Sequence, residues 1–169
     1  QDLYFSRIPA LKDRPLQYVV CEDCGCVCQS PMLHEQELTD LYAVDYRPME
    51  PTVPYLRAQR TLAGRLHTWV EQHLPGLPSG RRVLDVGCGA GLFLDTFREQ
   101  GWQTTGIDAN SRWTHWGRTT LGLNVKTGFF DRESFPDQRF SLILFSHILE
   151  HVSLERRFRA RIRMPLGYQ

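Results

Sequence analysis

Val83-Leu84-Asp85-Val86-Gly87-Cys88-Gly89-Ala90-Gly91 is the stretch that decides the fold: an apolar run holding one acid, then three alternating glycines. The run reads as a buried parallel strand, and the glycines as a tight loop opening a helix. α/β proteins use this arrangement to seat a nucleotide-like ligand on a helix N-terminus. Glycine is needed because backbone N–H groups must approach the ligand and side chains would block them. The spacing here is G-x-G-x-G, whereas the dinucleotide fingerprint G-x-G-x-x-G would end on Leu92. Asp85, two residues before the first glycine, repels a pyrophosphate and welcomes an ammonium group.

Downstream the hydrophobic period switches repeatedly, predicting strands at 82–86, 104–107, 123–125 and 141–145 around helices at 92–100 and 111–121. Gly101 and Gly122 stand where helix C-terminal glycines belong, and Ser111 where an N-cap belongs. Such alternation implies an α/β domain with a parallel, doubly wound sheet. Upstream, Leu62, Leu66, Trp69 and Val70 recur at helical spacing over 55–74 before Pro75-Gly76. Residues 1–54 hold prolines at 9, 15, 31, 48, 51 and 54 and one strand-like piece at 17–20. They read as an N-terminal appendage, and 55–169 as the core.

The 169 residues, 41% of them hydrophobic, suffice for one domain with a small extra module. Lys plus Arg (20) nearly balance Asp plus Glu (19), so no global field points to nucleic acid or an anionic membrane, and any partner must be argued locally. No membrane-span-length run and no secretory signal pattern occur, which predicts a cytoplasmic setting. Residue 1 is Gln and not Met, so it need not be the natural start. Four of the five cysteines, Cys21, Cys24, Cys26 and Cys28, crowd into eight positions, a pattern suited to metal. Cys21-Glu22-Asp23-Cys24-Gly25 has the shape of a zinc knuckle, with His34 as a further candidate ligand. The alternative is a set of reduced cysteines in a reducing compartment.

From Val83 to Phe93 the sequence resembles motif I of the class I S-adenosylmethionine-dependent methyltransferases, which have a Rossmann-like fold. The resemblance implies that Asp108, ending Thr105-Gly106-Ile107-Asp108, binds the ribose hydroxyls. Gly128-Phe129-Phe130-Asp131 with Phe135-Pro136-Asp137 resembles the adenine-side loop, so Phe130 and Asp131 are expected to flank the adenine. Ser146-His147-Ile148-Leu149-Glu150-His151-Val152 resembles the H-x-L-E-H-V continuation of the fourth strand. The implied cofactor-binding set is Asp85, Gly87, Cys88, Gly89, Gly91, Asp108, Ala109, Phe130, Asp131 and His147. Read from the residues alone, Asp85 either caps the glycine loop or touches ligand, and Cys88 is a small buried filler.

Some of these enzymes carry an N-terminal zinc-ribbon-like segment, and Cys21 to Gly25, Pro31 and Leu38 to Tyr42 resemble part of one. Two departures stand out. Phe140-Ser141 replaces a usual Phe-Asp, and Met164 to Gln169 cannot supply the further C-terminal strands that the resemblance implies, so the sequence is expected to be either a fragment or a truncated relative.

Methyl transfer from a sulfonium is an in-line displacement, so the protein chiefly aligns the partners and adds a base where the nucleophile must lose a proton. His147, Glu150 and His151 follow directly on a strand's carboxyl end. Either histidine would deprotonate a hydroxyl, position a substrate or simply shape the loop. The arginines at 156, 157, 159, 161 and 163 read as the solvated face of a helix whose stripe is Leu154, Phe158 and Ile162. The expected function is methyl transfer to a sugar, quinone or lipid-linked precursor. The alternatives are a non-catalytic or truncated S-adenosylmethionine-binding domain and an NAD-dependent oxidoreductase.

Overall fold

The computed structural model describes residues 17–20, 22, 25, 27–30, 36, 42, 50–77, 80–131 and 133–148. The chain divides into two compact units, Gln1–Pro48 and Met49–Gln169, each described by itself.

In the first unit β1 (Gln17–Val20) pairs antiparallel with β2 (Val27–Ser30), Val20 opposite Val27 and Val19 opposite Cys28. The connection between them carries the C-x-x-C-G step, with Gly25 in the left-handed region at φ +71°. β2 has no alternating pattern of its own, and the ladder to β1 makes it a strand.

The second unit opens with α1 (Val53–His73). Thr52 caps it, its hydroxyl accepting the Tyr55 N–H at 3.4 Å, and Pro54 falls in the first turn, where a missing N–H costs nothing. The helix therefore starts two residues ahead of the expected Tyr55. Its buried row is Ala63, Leu66, Val70 and Leu74, packed on the sheet-side core. Leu62 and Trp69, expected on that row, are turned away and remain 43% and 50% exposed. No helix among the described residues is long and apolar enough to cross a membrane.

β3 (Arg82–Val86), α2 (Leu92–Glu99), β4 (Gln103–Asp108), α3 (Ser111–Leu121), β5 (Val125–Thr127) and β6 (Leu142–Phe145) follow in order. The four strands form one parallel sheet in the order β5-β4-β3-β6, the Rossmann-like arrangement in which the chain winds outward from β3 and then returns to its other side. β3 is buried from Val83 to Val86, as a strand covered on both faces must be. Val83 packs with Leu94, Phe97 and Trp102 on one face. Leu84 and Val86 meet Ile107, Phe130, Phe135, Phe140 and Phe145 on the other.

Both described crossover helices stop in the same way. Gly101 (φ +83°) and Gly122 (φ +65°) turn the chain, and the next apolar residue donates back into the helix, Trp102 to the Phe97 carbonyl at 3.1 Å and Leu123 to that of Gly117 at 3.2 Å. Leu123 is thereby used as a helix stop, which moves β5 two residues beyond its expected start. The N-cap of α3 is Asn110, one residue before the expected Ser111, because the Asn110 side-chain oxygen accepts the Trp113 N–H at 3.0 Å.

Candidate functional site

The order β5-β4-β3-β6 puts the reversal of strand order between β3 and β6, and open α/β sheets seat their ligands beyond the carboxyl ends of the strands at such a point. Val86 pairs with Ile107 on one side and Phe145 on the other, so residues 87–91, 108–110 and 146–148 leave the sheet side by side. The glycine loop is hung from the end of β4: the Gly87 and Cys88 N–H groups both donate to the Ile107 carbonyl, at 2.8 and 3.2 Å. Gly91 is the N-cap of α2 at φ +84°, and no side chain caps the helix there.

Asp108 fastens the loop directly. One carboxylate oxygen accepts the Gly89 N–H at 2.7 Å and the other accepts the Asn110 N–H at 2.8 Å. A carboxylate offers about four acceptor positions, so about two remain for a vicinal diol. Ala109 is half-buried between these anchored residues.

Asp85 lies beneath the loop, only 3% exposed. Burial, and then the neighbouring Asp108 carboxylate, push its carboxyl up to about 8, which favours the neutral form at pH 7. Cys88 is buried in the core cluster, and its Sγ would lie 2.8 Å from a Cβ on Gly106. Its side chain fills space under the loop, leaving only its backbone on the ligand side.

Phe130 is half-buried and packs edge-to-face on Phe145, with ring centroids 6.1 Å apart. Asp131 shapes its own turn: one oxygen accepts the Glu133 N–H at 3.0 Å and the Ser134 hydroxyl at 2.8 Å. The Ser134 hydrogen bond holds this carboxyl below the ordinary carboxylate range. His147 is exposed, two residues past β6, with its backbone at φ +55°.

Glu150, His151, Cys21, Cys24 and Cys26 lie outside the described residues, and of Cys28 only the backbone in β2 is described. Among the described residues no group of His, Cys, Asp or Glu is gathered to hold a metal ion.

Three contributors escaped the sequence reading. Gly117 lets α3 lie against the loop, since a Cβ there would sit 2.8 Å from the Ala90 carbonyl oxygen. Asp95, in the first turn of α2 and 2% exposed, is bound by Arg60 of α1 and by Arg98 at 2.6 Å. Ile148 packs on Gly87. None of the three has a local mark, whereas the Asn110 cap was legible as an Asn just ahead of a helical pattern.

The family model described as a methyltransferase domain matches residues 57–157. The ubiquinone biosynthesis O-methyltransferase of Rhodopseudomonas palustris (strain TIE-1) is 33% identical over 79 residues, covering 44% of this chain and 31% of that protein. The protein of the same name from Idiomarina loihiensis is 33% identical over 90 residues, covering 50% of this chain and 37% of its own length. A solved SAM dependent methyltransferase from Archaeoglobus fulgidus matches at 30% identity with a TM-score of 0.45, over 60% of this chain and 44% of that one. The chain thus spans well under half the length of the curated relatives it matches.

Proposed function

The chain belongs to the methyltransferase-domain family, and from that membership we propose that its second unit holds S-adenosylmethionine for methyl transfer to a small-molecule acceptor. The observation that carries the reading is the Asp108 carboxylate bound to the Gly89 N–H at 2.7 Å, which joins a diol-binding acid to a glycine loop on an uncapped helix. The donor set fits the cofactor: a helix N-terminus without a capping side chain, a carboxylate with acceptor positions to spare, and a buried acid beneath the loop. When bound, the cofactor supplies an electrophilic methyl group on a positively charged sulfur.

The chain's own residues do the remainder. The loop and Asp108 orient, Phe130 offers an apolar flank, and His147, when neutral, takes the proton that an acceptor hydroxyl releases. Glu150 and His151 belong to the same proposal on the acceptor side. Among sugar, quinone and lipid-linked acceptors, the relatives named as ubiquinone biosynthesis O-methyltransferases favour an oxygen acceptor of quinone type. A zinc knuckle at Cys21, Cys24, Cys26 and Cys28 is proposed as well, supported by the left-handed Gly25 in the hairpin connection; metal analysis of the purified chain reads it.

Isothermal calorimetry tests the main reading. S-adenosylhomocysteine is expected to bind the whole chain and NAD is not, with Asp108→Ala abolishing the heat of binding. Binding of NAD in preference to the adenosyl ligand would support the oxidoreductase alternative and overturn this one.

A further inference from the structure

His147 is the only non-glycine residue at positive φ among the described residues, at +55°. Side chains adopt this region rarely, and the conformation persists where surrounding structure imposes it. The neighbouring residue supplies that imposition. Ile148 joins the cluster of Leu84, Val86 and Ile107, and its Cδ1 and Cγ1 lie 1.9 and 2.4 Å from where a Cβ on Gly87 would stand. The volume that glycine leaves free at the first loop position is therefore filled from within the protein, by a side chain arriving from the end of β6.

The sheet register explains how it gets there. Val86 pairs with Phe145, so Gly87 and Ser146 leave the sheet as neighbours, and the bend at His147 brings Ile148 back onto the loop.

We propose that Ile148 is a positioning residue: seated in the notch at Gly87, it holds the turn after β6 in the bend that sets His147 beside the glycine loop at the carboxyl end of the sheet. The inference rests on the methyltransferase reading only for the role of His147 as base. The linkage runs both ways, because any displacement of the loop at Gly87 moves Ile148 and the backbone of His147 with it. A ligand settling on the glycine loop is thus felt at the acceptor-side histidine through Ile148.

Ile148→Val removes Cδ1, the atom nearest the notch, and leaves a β-branched side chain. In solution NMR of the full chain, wild-type His147 is expected to show the backbone coupling and Cα shift of a left-handed residue, and the variant to lose them while the rest of the sheet keeps its shifts. His147→Gly takes positive φ without strain, so the stability cost of Ile148→Val is expected to shrink in that background. On titration with S-adenosylhomocysteine, the Gly87 and Gly89 amides and the His147 ring should shift together in the wild type. In Ile148→Val the amides should still respond and the ring response should be lost.

A left-handed His147 retained in the valine variant, an undiminished ring response, or additive costs in the two backgrounds would each overturn the proposal. Silence of the loop amides in the wild type would instead overturn the cofactor reading, leaving the backbone measurement to decide on Ile148.

Discussion

At 3% exposure on a strand with protein against both faces, Asp85 gives up its charge at less cost than it keeps it. The folded chain holds a proton there that the unfolded chain releases, the carboxyl having risen from 3.8 to about 8. Stability from this group is therefore complete below the unfolded value and declines as pH rises toward the folded one. Asp85→Asn is expected to flatten the decline across that window. Urea unfolding at stepped pH measures it, and an equally steep decline in the variant would show that other groups cause it. Asp85 and Asp108 were legible in the sequence because acids at strand ends beside glycines leave a local mark. The proton on Asp85 was not, since it depends on depth of burial and on a carboxylate from another strand.

Between elements, the buried carboxylate of Asp95 ties α1 to α2: Arg98 reaches one oxygen at 2.6 Å, Arg60 takes the other, and Arg60 also meets Glu99 at 3.2 Å. Arg60→Ala leaves Asp95 one partner; a hydrogen bond to a charged group contributes about 1.5–3 kcal/mol, and with Arg60 43% exposed a loss toward the lower end is expected. Arg60→Lys should recover only part of it, lacking the guanidinium fork. Denaturant unfolding checks this, and a change within experimental error would mean that water replaces Arg60 without cost. Element identity was largely legible, since β3 and α3 fall at their expected positions. Boundaries slipped where one residue type serves two purposes. Leu123 carries a strand's apolarity but closes α3, and Leu62 and Trp69 carry a core's apolarity but face outward. β2, without a pattern of its own, becomes a strand only through pairing with β1.

At the scale of the whole sheet, the contacts that fix the glycine loop and those that fix β6 differ in reach along the chain. Gly89 and Asp108 are joined across 19 residues, whereas Arg82 and Ser141, which pin β6 to β3, are joined across 59. The longer closure costs roughly 1 kcal/mol more in chain entropy, and non-local pairings of this kind form slowly. During refolding, pulse-labelling hydrogen exchange should find the amides of Gly89 and β4 protected before those of β6; simultaneous protection would show a single concerted step. The sheet order β5-β4-β3-β6 is thus expected to carry a timetable, the link between the glycine loop and β4 closing while the strand leading to His147 is still being placed.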